Sequence, residues 1–416
     1  MRLWRLHTIR TAVVYAASGV GFAGANLVLA RVLPKAEYAL FTLVLALVNF
    51  GFALATAGID GIMLRQPLEC GPRLLGRVAA AAMLVALALG VVAGAAYEIG
   101  PTLLAMVVVS TAAGGIMVVA GARFQREQRF GLSLTLVQSP NLFLALAAVV
   151  VLATGARDAR VPVLIATGGF VVAAWSGWWL LLRERSTKPE RGSLFSWREA
   201  LAFAGLNASG LLLVQLDRLL IPHLLPLGEL ATFGVLAAVV GSPFRVLQNS
   251  VGYSLLPRLT AATSVRVRRR LIMREVWLAG LLLLLAAGAV WIVVPLVERW
   301  FLAGKYHLGG PLVLAAIVAG LAKVLNAFSR ATVTALADAR ELAVVNVLGW
   351  VSVAVAAVAA AGAAGRWGLA GVIYGVGLGW LLRAMAALFV SARHLRLPAP
   401  AAEPAAGALQ TPTTEV

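Results

Sequence analysis

Four basic residues lie inside long apolar stretches of the second half of the sequence, where an ionisable side chain is costly and usually faces a cavity or a partner. They are Arg218, Arg245, Lys323 and Arg330. Arginine holds a phosphate or diphosphate through a bidentate fork, and lysine holds it as a point charge. We therefore predict a positively charged lumen for an anionic headgroup such as a pyrophosphate. The alternative is that Arg218 or Arg245 only pairs with Asp217 and locks helices together, and Arg330 has the further alternative of snorkelling to the interface.

Helical spacing groups these cations with neutral polar residues. Gln248 and Asn249 follow Arg245 at i+3 and i+4, and Asn326 follows Lys323 at i+3. Residues at such spacings share one face of a helix. We expect these amides, together with Asp217, to support the cationic lumen.

The first half carries a different pattern, a polar stripe without a buried cation. Thr42, Asn49, Thr56 and Asp60 recur at intervals of seven, seven and four residues, which predicts one polar face along a helix. The stripe suits sugar hydroxyls or an aqueous path, and equally suits hydrogen bonds between helices. Asp60 could relay protons or simply pair with Arg65.

The elements that position these residues are membrane-spanning helices. The chain of 416 residues is 61% hydrophobic and 12% charged, far from the soluble balance of about 25% charged. A spanning helix needs about 20 mostly apolar residues, and twelve such stretches fit. Their centres lie near residues 22, 51, 88, 111, 143, 172, 211, 243, 285, 322, 352 and 379. We predict an all-α polytopic membrane protein with twelve spans.

The basic residues predict the orientation. Most of the 35 lysines and arginines, Arg383 among them, fall in segments that are cytoplasmic if the N-terminus is cytoplasmic, so the positive-inside rule places both termini inside. Topology and anionic lipids account for the net charge of +18. The sequence shows no aromatic and basic platform for nucleic acid, which is therefore not an expected partner.

An internal repeat divides the chain. The segments 33–41 and 225–233 are 192 residues apart, and seven of the 16 aligned positions through Val48 and Val240 are identical. Duplicated hydrophobic halves are typical of transporters. We predict two six-helix lobes, 1–187 and 198–396, related by a pseudo-two-fold axis along the membrane normal. A charged linker at 183–197 joins them, and a disordered cytoplasmic tail follows at 397–416.

Enzyme chemistry is not indicated. Cys70 is the only cysteine, and the four histidines are scattered, so neither a metal centre nor a disulfide is predicted. The chain has no phosphate-binding G-x-x-x-x-G-K-[ST] loop. We expect no cofactor and no catalytic residues.

Two stretches resemble a known family. The run from Asn26 to Phe41, followed by Ala57-Gly58-Ile59-Asp60, resembles the opening of Wzx-type polysaccharide flippases, which share the MOP superfamily with MATE exporters and lipid II flippases. The run from Gln215 to Ile221 and the segment Leu255-Leu256-Pro257-Arg258-Leu259 are similar to the seventh and eighth helices of that family. Twelve spans, without the two additional helices of lipid II flippases, argue against that branch.

The resemblance implies a flippase of the bacterial cytoplasmic (inner) membrane. Such a protein moves a polyprenyl-pyrophosphate-linked oligosaccharide, for O-antigen or exopolysaccharide synthesis, from the inner to the outer leaflet by alternating access. The implied partners are that lipid-linked substrate, membrane lipids, polysaccharide polymerase and chain-length proteins, and a coupling proton or sodium ion. The alternatives are a MATE-like ion-coupled exporter, which would need acidic groups in its cavity, and a non-transporting scaffold for polysaccharide assembly.

Overall fold

The computed structural model describes residues 19–65, 68–185, 195–262 and 264–395. The predicted linker falls largely in 186–194, outside the described residues, and so does the whole predicted tail. The structure is about 89% helix, and its described part contains no strand. The predicted fold class, an all-α membrane protein, is confirmed.

We call the described residues 19–185 the first half and 195–395 the second half. The helices of the first half are α1 Gly19–Val32, α2 Lys35–Ala55, α3 Ile59–Arg65, α4 Pro72–Ala96, α5 Pro101–Arg126, α6 Phe130–Thr154 and α7 Arg160–Arg185. Those of the second half are α8 Trp197–Leu224, α9 Leu227–Val239, α10 Gly241–Ala261, α11 Val265–Leu296, α12 Gly310–Leu336 and α13 Ala339–His394, with one π-helical turn, Val297–Phe301, after α11.

Each of the twelve predicted centres lies in one of these helices. Within the described ranges, eight helices are long and apolar enough to cross a membrane, or ten if each of two bent pairs forms a single span. The chain is therefore a multi-pass membrane protein. The count of twelve remains a prediction.

α13 contains two antiparallel limbs. Its 56 residues would extend about 84 Å if straight, more than twice the hydrocarbon core of about 30 Å. Gly368 leaves the helical conformation with φ 54° and ψ −136°, and the chain turns back. Beyond that turn, a side chain at Gly375 or Gly379 would collide with Ala360 or Ala356 of the first limb, so small residues allow the two limbs to pack closely.

The internal repeat is visible in the backbone. Pro34 and Pro226, which the offset of 192 residues relates, are the N-caps of α2 and α9, with nearly equal dihedral angles of −54°, 152° and −55°, 144°. Further along, a Cβ on Gly234 would lie 2.8 Å from the Thr42 hydroxyl, and Thr42 and Gly234 are also related by the offset. Two equivalent residues that meet each other lie on the local axis. α2 and α9 therefore cross at the pseudo-two-fold axis of the bundle.

The second predicted span is broken. α2 ends at Ala55, and the chain turns through Ala57 and Gly58, whose φ values of 48° and 77° are left-handed, before α3 begins. The predicted stripe therefore does not follow one helix. Thr42 and Asn49 lie on α2, Thr56 lies in the turn, and Asp60 lies on the short helix α3.

The two halves are joined at the end predicted to be outside. Lys305 donates hydrogen bonds to the Ala30 carbonyl at 2.8 Å and to the Leu33 carbonyl, at the C-terminal end of α1. Tyr306 donates to the same Ala30 carbonyl, and Tyr97 donates to the Leu219 carbonyl at 2.8 Å. We call this set of contacts the outer seal. It closes the predicted outer end of the boundary between the halves.

Candidate functional site

A polar cavity lies within the second half, between α8, α9, α10, α12 and the second limb of α13. Its volume of about 90 Å³ has room for about six water molecules at about 15 Å³ each. Three of the four predicted cations line it, together with one carboxylate and one amide. These residues are Arg218, Arg245, Lys323, Asp217 and Gln248.

Asp217 pairs with Lys323 and not with either arginine. The Lys323 ammonium lies 3.5 Å from the Asp217 carboxylate, which is 3% exposed as a residue. The same ammonium lies 6.0 Å from the centre of the Trp380 ring, a cation–π distance. The buried acid of α8 is therefore neutralised from α12, and the alternative in which an arginine locks α8 through Asp217 does not describe this arrangement.

Arg218 separates the cavity from a second, smaller pocket. Its guanidinium donates to the Gln215 side chain at 2.9 Å and lies 5.9 Å from the centre of the Phe233 ring. Its Nε is buried without a hydrogen-bond partner. The smaller pocket holds about 10 Å³, and its other walls include Asn26, Thr42 and Asn49 of the first half. Arg218 is thus a cation that residues of both halves can reach.

Arg245 faces the first half from the other wall of the cavity. Its guanidinium lies 5.3 Å from the centre of the Phe22 ring of α1, and the side chain is exposed. No carboxylate among the described residues pairs with it. A bend of 53° between α9 and α10 precedes Arg245 by one helical turn and carries it with Gln248 towards the cavity.

The remaining predicted residues lie elsewhere. Asn326 is 4% exposed and Arg330 is exposed; both lie on α12, further towards the predicted cytoplasmic end than Lys323, and neither lines the cavity. Asp60 is half-buried on α3 in the first half. Asn249 lies on α10, and its side chain is outside the described residues.

Sequence reasoning missed two contributors. Phe233 of α9 provides the ring beneath Arg218. The internal repeat aligns Phe233 with Phe41, but it did not predict the contact with Arg218. Arg383 was grouped with the cytoplasmic basic residues, but it lies within α13 and is 7% exposed. The apolar run on both sides of Arg383 was the signal available for it.

The charges of the cavity favour an anion. Three cations face one carboxylate, and the ion pair between Lys323 and Asp217 leaves Arg218 and Arg245 as the excess positive charge. A phosphate group, which matches the arginine fork, is the natural complement. Among the described residues, no group of three histidine, cysteine, aspartate or glutamate side chains could hold a metal ion.

Comparison with known proteins identifies the fold. No protein-family model and no curated protein matches the sequence. Among solved structures, the lipid II flippase MurJ in an inward closed conformation has a TM-score of 0.66 at 10% identity, covering 92% of this chain and 87% of that one. An inward-facing multidrug resistance MATE family transporter of the MOP superfamily has a TM-score of 0.63 at 12% identity, covering 92% and 98%.

A eukaryotic MATE transporter, AtDTX14, has a TM-score of 0.59 at 14% identity, covering 94% of this chain and 98% of that chain. Likeness at such low identity establishes the fold alone. This chain therefore has the MATE-like fold that these membrane transporters and this flippase share.

Proposed function

We propose that the protein is a flippase that moves a polyprenyl-diphosphate-linked oligosaccharide from the inner to the outer leaflet of a bacterial cytoplasmic membrane. The observation that carries the proposal is the charge of the cavity, where Arg218, Arg245 and Lys323 face the single carboxylate of Asp217. A diphosphate ester is an anion that a lipid-linked glycan presents at membrane depth. Cations at this depth supply charge-assisted hydrogen bonds to such an anion.

The Asp217 carboxylate is the counterion of Lys323 in the cavity. A diphosphate oxygen that reaches Lys323 replaces the Asp217 carboxylate, while Arg218 and Arg245 provide forks from the opposite walls. The carboxylate then loses its partner, which limits how tightly the substrate is held and favours its release. A carrier that binds too tightly would not turn over.

The first half supplies neutral polar groups beside this site. Asn26, Thr42 and Asn49 line the smaller pocket that meets the cavity at Arg218. Amides and hydroxyls donate to and accept from sugar hydroxyls without adding charge. We assign the diphosphate to the second half and the first sugar of the glycan to this boundary.

Alternating access follows from the sizes involved. A cavity for about six waters cannot contain an oligosaccharide, so the halves must separate to admit it. The outer seal must break when the glycan leaves at the predicted outer end. The driving ion, a proton or sodium, and the partner polymerase remain expectations.

A MATE-like exporter of cations is the second candidate, and Asp217 is the observation that favours it. A buried carboxylate in the cavity is what a cationic substrate requires. Its neutralisation by Lys323 at 3.5 Å weighs against this function.

Reconstitution in liposomes tests the proposal. The measurement is inner-to-outer movement of a fluorescent polyprenyl-diphosphate oligosaccharide by wild type and by an Arg245→Gln/Lys323→Gln double variant. Two lost charge-assisted contacts, at about 1.5–3 kcal/mol each, should slow movement by about 100-fold or more. Arg160→Gln is the matched control, because Arg160 is the exposed first residue of α7 and its side chain lies beside Asp158.

The variants must first show wild-type elution and thermal unfolding. Export of a cationic dye by the wild type, with no movement of the lipid, would establish the second candidate. Movement of neither substrate by a folded wild type would favour a scaffold role.

A further inference from the structure

Arg383 is a buried cation outside the cavity. It lies on the second limb of α13, is 7% exposed, and donates a hydrogen bond from Nη1 to the Ser209 hydroxyl of α8 at 3.1 Å. No carboxylate pairs with it within the described part of the chain. A hydroxyl is a weak partner for a buried guanidinium, which has five N–H donors to satisfy.

Two glycines make the space that the guanidinium occupies. A Cβ on Gly210 of α8 would lie 3.0 Å from Nη2 of Arg383, and a Cβ on Gly349 of α13 would lie 3.4 Å from Nη1 and 2.8 Å from the Ser209 hydroxyl. Side chains at either position would fill this slot. The slot therefore admits a planar charged group between α8 and both limbs of α13.

The depth of Arg383 follows from the register of two parallel helices. Gly377 faces Ala319, and the Lys323 ammonium lies over Trp380, so residue numbers on α12 and on the second limb of α13 increase together. Three residues further along each helix, Arg383 and Asn326 reach the same depth. Both are about 4.5 Å closer to the predicted cytoplasmic end than Trp380 and Lys323, at 1.5 Å per residue.

Arg330 continues this polar track. It follows Asn326 by one helical turn on α12, about 6 Å closer to the predicted cytoplasmic end than Arg383, and is an exposed like charge. A negative group between two such cations relieves their repulsion and gains attraction from both. The track leads from the predicted cytoplasmic end of α12 to Lys323 in the cavity.

We propose that Arg383, with Arg330, forms a second phosphate-binding station that receives the phosphate group of an anionic lipid before that group reaches the cavity. The direction of movement rests on the proposed function, whereas binding at the station does not. The phosphate replaces the Ser209 hydroxyl as the partner of Nη1 and bridges the two guanidinium groups. The station also lowers the repulsion between Arg383 and Arg330 whenever it is occupied.

Binding of farnesyl diphosphate to the full-length protein tests the station. The protein is placed in phosphatidylcholine nanodiscs, and the dissociation constant is measured by titration calorimetry for wild type and for R383Q, R383K and S209A. We expect a loss of about tenfold for R383Q and about threefold for R383K, which keeps the charge without the fork. S209A should bind as tightly as wild type or more tightly, because the hydroxyl competes with the phosphate.

R393Q is the matched control, since Arg393 is an exposed arginine on the same helix that lies over the Phe389 ring. It should bind farnesyl diphosphate as wild type does. Replacing part of the phosphatidylcholine with phosphatidylglycerol distinguishes the source of the phosphate. If phosphatidylglycerol competes with farnesyl diphosphate in wild type but not in R383Q, the station accepts any lipid phosphate. If phosphatidylglycerol does not compete, the station is specific for the diphosphate. Both results support a phosphate station.

Wild-type affinity in R383Q together with a lower unfolding temperature would overturn the proposal, because the arginine would then only join helices. If R383Q does not fold, weaker binding by S209A would overturn it equally. An Arg245→Gln/Lys323→Gln variant measured in parallel separates the two sites. If this double variant loses transport but still binds farnesyl diphosphate at Arg383, the station is supported independently of the flippase function.

Discussion

The two halves begin alike and then diverge at a bend. α2 and α9 start after equivalent prolines with the same backbone angles. α2 then continues for 21 residues to a left-handed turn at Ala57 and Gly58, whereas α9 ends after 13 residues at Val239, and its C-cap Val240 keeps right-handed helical angles. The duplicated framework is preserved at the predicted outer end, and the backbones diverge about four helical turns beyond it.

The bend also distinguishes the charged cavity of the second half from the neutral polar groups of the first half. In the second half it directs Arg245 and Gln248 into the cavity, while α2 contributes Thr42, Leu45 and Asn49 to the smaller pocket. A charged site and a neutral site thus lie on opposite sides of one pseudo-two-fold axis. This asymmetry suits a substrate with an anionic end and a hydroxyl-rich end.

Gly58→Ala should have the largest effect on stability. A Cβ there would lie 1.9 Å from the Ala200 carbonyl of α8, at a φ of 77°, so the backbone must shift. We expect a loss of about 3 kcal/mol or more in the free energy of unfolding, from overpacking together with a strained φ. Thermal unfolding in detergent measures the loss.

The break in the second half offers the control for that experiment. A Cβ on Gly241 would meet only the Ala237 methyl group at 3.9 Å, so Gly241→Ala should change stability by less than about 1 kcal/mol. Equal losses at Gly58 and Gly241 would contradict the view that the two breaks differ physically.

Lys323→Met should have the next largest effect. It leaves the Asp217 carboxylate buried without its partner, which costs about 2–3 kcal/mol in a cavity with room for water. The Asp217→Asn/Lys323→Met double variant should recover most of this loss, since no charge remains unpaired. A double variant as unstable as the single one would show that packing, and not charge, is responsible; urea unfolding measures both.

Gly234→Ala tests the axis itself. The added methyl group would meet the Thr42 hydroxyl at 2.8 Å, so α2 and α9 must move apart by a small distance. We expect a loss of about 1–2 kcal/mol, recovered in Gly234→Ala/Thr42→Gly, which exchanges small and large residues across the axis. Additive losses of stability in the double variant, measured by thermal unfolding, would show that Gly234 and Thr42 do not contact each other across the interface.

Lys305→Met should have the smallest effect on stability, about 1 kcal/mol, because its hydrogen bonds lie near the surface. Its effect on conformation should be larger, because the Lys305 hydrogen bonds link the second half to the C-terminal end of α1. We expect an increased distance between spin labels placed on the loops after α1 and α11. An unchanged distance distribution would show that Tyr97 and Tyr306 maintain the seal without Lys305.

The sequence predicted the fold class and the helix positions because apolar length is a local property. Each predicted centre lies in a helix, and the repeat predicted that Pro34 and Pro226 hold equivalent places. It did not predict the break after Ala55, since that turn depends on the close approach of Gly58 to α8. It also grouped Arg383 with the cytoplasmic basic residues, because hydropathy averaged over a span does not register one buried guanidinium.

The partners of the charged residues were decided by tertiary structure alone. Helical spacing placed Lys323, Asn326 and Arg330 on one face of α12, but only the packing of α8 against α12 brings Lys323 to Asp217. The same packing leaves Arg218 and Arg245 without a carboxylate among the described residues. The sequence by itself determined a duplicated helical membrane bundle with cations in its second half. Which cation faces the cavity depends on how helices far apart in sequence meet, and no local pattern encodes that.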